Sequence, residues 1–300
     1  MSHVPPALSG APAPAAARAA RPSYEALRAF ARNPGALIGL LLLAAILAVV
    51  LIGPLVMPAD PFEIASAPME PPGGELLLGS DYMGRDVLTG IIHGGRATLL
   101  VGVVAAVLSM AIGITVGALA GYYGGWVDET LMRITEFFQV LPALLFAMVL
   151  VTLFSSSLGT IAVAIGVVSW TATARLARGE FLSLKRREYV LAERVIGSSN
   201  ARIIWRVILP NALAPLIVSA TLAIGTAILF EAGLSFLGLG DPNVMSWGLM
   251  IGSNRPYILT AWWAVTLPGA AIFLTVLAVS LIGDGLNDAL NPKLASKRRS

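Results

Sequence analysis

The side chains with the clearest capacity for chemistry form a basic segment that runs from Arg175 to Pro210. It holds eight of the twenty Lys and Arg residues of the chain: Arg175, Arg178, Lys185, Arg186, Arg187, Arg194, Arg202 and Arg206. The segment is amphipathic and lies between long apolar stretches. One interpretation is a basic loop held to anionic lipid. The other is a contact with a soluble motor that drives the membrane part of the chain.

Motifs that would indicate catalysis or cofactor binding are missing from the sequence. It contains no G-x-x-x-x-G-K-[ST] loop, no Gly-Lys pair, no H-E-x-x-H and no G-x-S-x-G. The absence of Cys excludes disulfides, thiol catalysis and Cys-ligated metals, and His3 and His93 are too distant in sequence to suggest a metal site. We therefore expect a chain that is not an enzyme and has no cofactor or metal of its own.

The composition is that of a membrane protein. Of 300 residues, 57% are hydrophobic and 12% are charged, and the mean hydropathy is +0.81. Soluble domains carry about 25% charged residues, and a helix of roughly 20 apolar residues spans a bilayer. The sequence predicts an all-α membrane protein with six transmembrane helices, at about Ala36–Val56, Thr98–Ala120, Phe137–Phe154, Thr160–Ala177, Asn211–Leu237 and Trp263–Gly283.

The third and fourth spans share one uncharged window, residues 137–174. As a single helix it would be about 57 Å long, nearly twice the thickness of the hydrocarbon core, so we place a break at SSSLGT, residues 155–160. With six spans, the outer loops hold only three basic residues, Arg85, Arg96 and Arg255. By the positive-inside rule both termini are then cytoplasmic.

A stripe of small residues follows one face of the second span, at Ala105, Ser109, Gly113, Gly117 and Gly121. Residues four apart lie on one side of a helix, and small side chains let two helices approach closely in lipid. We expect the stripe to pack inside this subunit, with a subunit interface as the alternative.

Polar residues inside the spans are candidates for lining a translocation path. They are Ser169, Thr171, Thr173, Thr221, Thr226 and Glu231. A carboxylate at membrane depth is costly and usually functional, so Glu231 either forms a packing hydrogen bond or faces a path. Most intramembrane Ser and Thr hydroxyls bond back to their own helix.

The basic segment has the helix-ending and helix-capping residues that are typical of two helices joined by a turn. A helix over Phe181–Arg194 would end at Gly197 in a left-handed cap. Ser198, Ser199 or Asn200 would cap a second helix that ends where Pro210 begins the fifth span. Such a helix–Gly–helix unit would be a stiff lever.

The stretch REYVLAERVIGSSNARIIWRVILPNALAPLIV resembles the EAA segment of binding-protein-dependent ABC importer permeases. Leu191, Ala192 and Glu193 stand at the three positions that give the segment its name, and Gly197 and Leu209–Pro210 follow at the family spacing. In that family the segment forms a coupling helix that docks on the ATPase. The resemblance implies these ATPase-coupling residues: Tyr189, Leu191, Ala192, Glu193, Gly197, Arg202, Leu209 and Pro210.

The resemblance extends over about residues 30–292. LLGSDYMGRDVLTGIIHGGRATLLVG, GALAGYYGGWVDETLMRITE, EAGLSFLGLG, SWGLM and LIGDGLNDALNP are similar, in order, to the second permease of the dipeptide, oligopeptide and nickel branch. It implies the type I importer fold in the bacterial inner membrane and alternating access. It also implies a homologous second permease, an extracytoplasmic binding protein and two ATPase subunits that hold ATP and Mg.

The expected organisation has four parts. Residues 1–22 form a disordered tail, and 23–96 contain a short interfacial helix (Tyr24–Arg32), the first span and an extracytoplasmic loop. Residues 97–290 form the permease domain, in which we name residues 178–210 the coupling segment. Residues 291–300 form a basic tail that suits anionic lipid.

Peptides are the expected substrate, with nickel, glutathione or another small solute as alternatives in the same family. Two other classes are an ion-coupled secondary transporter that uses Glu231 and a membrane scaffold without transport. Against the carrier, the sequence has no evident inverted repeat. Nothing in the sequence predicts a nucleic-acid partner.

Overall fold

The computed structural model describes residues 22–290, which form helices joined by loops. The tails predicted at 1–22 and 291–300 lie outside these residues, except for residue 22. Helix α1 (Pro22–Ala31) precedes α2 (Pro34–Val56). Pro34 occupies the first turn of α2, and the Asn33 side chain accepts a hydrogen bond from the Ala36 amide at 3.2 Å. The predicted short helix and first span are therefore confirmed.

Helix α3 (Val87–Tyr123) contains the second predicted span but begins 11 residues earlier than expected. Its start is set by Asp86, whose carboxylate accepts hydrogen bonds from the amides of Leu88 and Thr89. With 37 residues, α3 is about 56 Å long and projects beyond a 30 Å hydrocarbon core.

The third predicted span is interrupted. Helix α4 (Gly125–Val140) and helix α5 (Ala143–Phe154) meet at an angle of 86°. Pro142 has no amide hydrogen, and it disfavours helical geometry at Leu141, whose ψ is 128°. The straight helix expected over Phe137–Phe154 is thus wrong in shape, because a proline breaks it.

The expected break between the third and fourth spans is confirmed. Helix α5 ends at Phe154, and helix α6 (Leu158–Leu184) begins after Ser157, whose hydroxyl accepts from the Thr160 amide at 3.2 Å. Helix α6 contains the fourth predicted span and extends about two turns beyond it.

The coupling segment differs from the prediction in two places. Helix α7 covers only Glu188–Val195, because the chain leaves α6 at Leu184 and turns before re-entering a helix. After the turn, α8 (Asn200–Arg202), a π-helical stretch (Ile203–Ile208) and α9 (Leu209–Phe236) form one continuous helix. It does not stop at Pro210, since the wider π turn tolerates the missing proline amide and Asn211 donates to the Val207 carbonyl at 2.7 Å.

Helix α10 (Trp247–Asn254) and a 3₁₀ turn (Arg255–Tyr257) lead to α11 (Trp263–Leu290). Helix α11 packs against α2 and α9, and α3 packs along α6. Within residues 22–290, five helical segments are long and apolar enough to cross a membrane, and the bent α4–α5 pair makes a sixth if it forms one span.

The loop between α2 and α3 is folded and caps the end of the bundle that the charge distribution predicts to be extracytoplasmic, which we name the outer end. Ser80 donates to the Ala67 carbonyl at 2.6 Å and accepts from the Glu70 amide at 2.8 Å. The Trp263 indole donates to the Ser80 carbonyl at 3.0 Å, which ties the loop to α11. The loop therefore joins the outer ends of several helices.

Candidate coupling site and translocation path

The turn between α7 and α8 has the backbone that the sequence predicts. Gly197 has a φ of 83°, a conformation that disfavours other residues, and no neighbouring group would touch an added Cβ. The Ser198 amide bonds back to the Glu193 carbonyl at 3.0 Å, and the Ser199 hydroxyl caps the next helix. Ser198 also donates to the Glu193 carboxylate, so the turn is braced by side chains as well.

One face of the coupling segment is apolar and exposed. Leu191 is 47% exposed, Val195 86% and Ile196 75%. Ala192 and Tyr189 are also exposed, whereas Glu193 is half-buried by its bond to Ser198. An exposed apolar face on a short, well-formed helix is typical of a docking surface.

The opposite face of the segment is buried in the bundle. Val190, Ile203 and Ile208 lie in one cluster with Phe181 of α6 and Ala118 of α3. This cluster holds both arms of the turn against two long helices. Of the other predicted coupling residues, Gly197, Arg202 and Pro210 are exposed and Leu209 is half-buried.

A groove of about 690 Å³ lies beside α7. Its walls are Leu184, Arg186, Arg187, Glu188, Tyr189 and Asn211. The first turn of α7 has no side-chain cap, and the Val190 amide bonds to the Arg187 carbonyl at 3.0 Å. Two arginines and one acid, Glu188, line the groove, so its walls carry a net positive charge.

An ion pair and a lysine fix the helices behind the segment, and sequence reasoning missed both. Arg178 on α6 donates two hydrogen bonds to Asp128 on α4, at 2.5 and 2.6 Å. The Lys185 ammonium donates to the Gly121 carbonyl at 2.7 Å. Burial lowers the pKa of Lys185, and the Arg194 and Arg186 guanidinium groups lower it further. The available signal was Asp128, one of two adjacent acids, Asp128 and Glu129, that follow the second span.

Glu231 lies in a closed cluster of hydroxyl groups. Only 1% exposed, its carboxylate accepts from Ser246 at 2.8 Å, Ser235 at 2.9 Å and Thr98 at 3.4 Å. Thr98 also accepts from the Trp247 amide at 3.1 Å. The cluster joins α9, α3 and the start of α10.

The other candidate path residues are scattered. Thr226 is exposed but bonds to the Leu222 carbonyl of its own helix at 3.0 Å, and Ser169 is half-buried. Thr173 is 2% exposed and faces α3, where its hydroxyl donates to the Met110 sulfur at 3.5 Å. In the part of the chain that the structure describes, no hydrogen bond joins these side chains to each other or to Glu231.

The stripe of small residues lies against α6. A Cβ on Gly113 would come within 2.5 Å of the Thr173 Cβ, and one on Gly121 within 2.7 Å of the Phe181 Cβ. A Cβ on Gly117 would come even closer to the carbonyl oxygen of Ala174, and Ser109 is buried beside these glycines. The two helices therefore touch almost backbone to backbone, which makes α3 and α6 one stiff unit.

The sequence matches two family models. Residues 113–296 match the family described as binding-protein-dependent transport system inner membrane component. Residues 22–72 match the N-terminal TM domain of oligopeptide transport permease C. Together these ranges include the coupling segment, Glu231 and the first span.

Curated proteins are similar to this chain over nearly its whole length. The di/tripeptide transport system permease protein DppC of Pseudomonas aeruginosa (strain UCBPP-PA14) is 43% identical over 281 residues, which cover 91% of this chain and 93% of that protein. The dipeptide transport system permease protein DppC of Bacillus subtilis (strain 168) is 41% identical over 275 residues, covering 91% and 86%.

A solved structure has a similar fold. It is described as inward facing conformations of the MetNI methionine ABC transporter, and it aligns with a TM-score of 0.57 at 21% identity. The alignment covers 67% of this chain and 96% of the other. At this identity the likeness concerns the fold alone, and it supports the architecture of an ABC importer permease.

Proposed function

Because this chain belongs to the family of binding-protein-dependent transport system inner membrane components, we propose that it carries di- and tripeptides across the membrane as one permease of an ABC importer. The chain is a multi-pass component of a bacterial inner membrane, and family members of this kind are not catalytic. The family resemblance seen in the sequence is confirmed.

The complete importer contains partners that this chain lacks. A binding-protein-dependent system implies ATPase and binding-protein subunits. The proposed assembly has this chain beside a homologous second permease, two ATPases that hold ATP and Mg, and an extracytoplasmic binding protein that selects the peptide. ATP binding closes the ATPases, and the spans alternate between inward-open and outward-open forms.

The observation that carries the coupling role is the two-sided build of the coupling segment. Leu191, Val195 and Ile196 expose apolar surface to a partner, while Val190 and Ile203 are buried against the long helices. Burying apolar surface stabilises a contact by about 25 cal/mol per Å². A partner that binds the exposed face and then moves would therefore also move the helices against which the buried face packs.

The test is to reconstitute the complex in proteoliposomes with both permeases, the ATPases and the binding protein, and to supply radiolabelled dialanine. We expect dipeptide uptake that requires ATP, and ATP hydrolysis that the peptide-loaded binding protein stimulates. Nickel and glutathione are offered in parallel as competing substrates. Uptake that persists without ATPases and collapses with an ionophore would instead identify an ion-coupled carrier.

The docking face is tested with a matched pair of substitutions. Val195→Lys places a charge on the apolar face, and Leu77→Lys places one on a 70% exposed site in the outer loop. We expect only Val195→Lys to weaken co-purification of the ATPases, because a lysine at the centre of an apolar contact must lose its hydration. Equal retention of the ATPases by both variants would contradict docking through this face.

A further inference from the structure

Tyr122, the penultimate residue of α3, contacts the coupling segment on both sides of its turn. Its hydroxyl donates to the Asn200 side-chain oxygen at 2.7 Å, at the start of α8. The guanidinium of Arg194, in the last turn of α7, lies over its ring at 5.2 Å from the centroid. Gly197 lies between these two partners in the chain, so one side chain holds both arms.

The Tyr122 ring is also part of the core behind the segment. It is 6% exposed and shares a buried cluster with Val190 of α7 and Ile203 of the π-helical stretch. A phenol ring has few rotatable bonds, so a ring packed in this way moves together with the groups that contact it. A shift of either arm therefore acts on the ring as well as on Phe181 of α6, which lies in the same cluster.

The backbone at Tyr122 is fixed as firmly as its side chain. The Lys185 ammonium, just after α6, donates to the Gly121 carbonyl at 2.7 Å and approaches the Tyr122 carbonyl at 3.5 Å. These carbonyl groups belong to the last turn of α3, where a cation is stabilising. Because α3 also packs closely against α6 through its glycines, a force on Tyr122 acts on both helices.

We propose that Tyr122 is a positioning residue that transmits movement of the coupling segment to the α3–α6 pair, an inference that rests on the proposed function. The Tyr122–Asn200 hydrogen bond is the directional part of the link, and the ring contacts with Arg194 and Val190 prevent it from tilting. The coupling segment and the inner end of α3 then move together when the ATPases close.

The neighbouring Tyr123 provides a matched control. It has the same side chain one residue later, is 52% exposed, and touches the edge of the Tyr122 ring at 5.2 Å between centroids. Within residues 22–290 no hydrogen bond involves its hydroxyl. Tyr123→Phe and Tyr122→Phe therefore remove the same atom, but only Tyr122→Phe removes a link to the coupling segment.

The first measurement is ATP hydrolysis by the reconstituted complex, without and with dialanine-loaded binding protein. We expect Tyr122→Phe to keep basal hydrolysis and to lose about fivefold in stimulated hydrolysis, as for one lost hydrogen bond. Tyr123→Phe should match the wild type. Asn200→Ala removes the acceptor of the same hydrogen bond and should lower stimulated hydrolysis as much as Tyr122→Phe does. If the Tyr122→Phe complex fails to assemble, Asn200→Ala tests the proposal in its place. Wild-type stimulation in Tyr122→Phe would overturn the proposal.

A second measurement separates this proposal from the proposed function, because it needs no transported substrate. The chain contains no Cys, so nitroxide labels at Thr115→Cys and Ala201→Cys, both exposed positions, report the distance between α3 and the start of α8. We expect that distance to stay the same with and without a non-hydrolysable ATP analogue, and to change with the nucleotide only in Tyr122→Phe. A nucleotide-dependent distance in the wild type would overturn a rigid link. Absence of dipeptide stimulation in the wild type would overturn only the peptide assignment.

Discussion

The outer and inner ends of the helix bundle hold their polar groups in different ways. Near the outer end, the Glu231 carboxylate is 1% exposed and accepts three hydrogen bonds from uncharged hydroxyl groups. At the inner end, Asp128 and Arg178 form a charged pair whose side chains are 16% and 36% exposed. The first group is enclosed by protein, whereas the second meets solvent.

This difference bears on which end can move. If the outer cluster opens inside the membrane, its carboxylate loses its donors and finds no water to replace them. If the inner pair separates, water solvates both ions, so that an exposed pair contributes little to stability. We therefore expect the outer cluster to stay assembled during transport, and the Asp128–Arg178 pair between α4 and α6 to rearrange.

Glu231→Ala should have the largest effect on stability. It leaves the hydroxyls of Thr98, Ser235 and Ser246 without their shared acceptor and creates a cavity between α9 and α10. We expect a loss of about 3 kcal/mol in the free energy of unfolding, partly offset where the hydroxyls bond back to their own helices. The measurement is denaturant unfolding of the purified chain in detergent, followed by tryptophan fluorescence because Trp247 adjoins the cluster.

Two variants check the cause of that loss. Glu231→Gln keeps the size and one oxygen acceptor, so it should lose clearly less stability than Glu231→Ala. Ser235→Ala removes a single donor and should cost about 1 kcal/mol. If Glu231→Ala unfolds at the same denaturant concentration as the wild type, the outer cluster does not hold these helices together in the way proposed.

The turn between α7 and α8 is tested by replacing each of two glycines with alanine, in the variants Gly197→Ala and Gly179→Ala. A Cβ at either position would touch no neighbouring group, so the two sites differ in backbone conformation. Gly197 has a φ of 83°, where alanine costs about 1 kcal/mol, whereas Gly179 lies inside α6, where alanine stabilises by up to about 1 kcal/mol. We expect opposite changes in unfolding stability.

The same pair should differ in function. Gly197→Ala strains the turn and should reduce peptide-stimulated ATP hydrolysis, and a bulkier residue there should abolish it while the spans still insert. Gly179→Ala should leave stimulation unchanged. Normal stimulation in a bulky Gly197 variant would show that the geometry of the turn plays no part in coupling.

The sequence predicted the features that depend on residues close together in the chain. Long uncharged stretches predicted the first two spans and the last two, because hydropathy alone decides whether a helix can enter lipid. Gly197 predicted the turn between α7 and α8, because few other residues readily adopt a positive φ. The length of the uncharged window required a break, SSSLGT at residues 155–160 gave its place, and the structure has it at residues 155–157.

The features that the sequence did not predict depend on distant residues. Pro142 and Pro210 are both visible as prolines, yet one bends the chain and the other lies within a continuous helix, because a π turn precedes it. The donors to Glu231 come from residues as far away as Thr98, 133 positions earlier. Such partners are set by packing, which no local pattern records.

Asp128→Asn should have the smallest effect on stability. The pair with Arg178 has good two-bond geometry, but its solvent exposure limits the loss to less than about 1 kcal/mol, and added salt should shrink that loss. Arg178→Gln should cost a similar amount, and the double variant should cost little more than either one, since both remove the same contact. Unfolding at low and high salt measures all three. An effect as large and as salt-independent as that of Glu231→Ala would show that the inner pair is enclosed in the same way as the outer cluster, and the two ends would then resist movement equally.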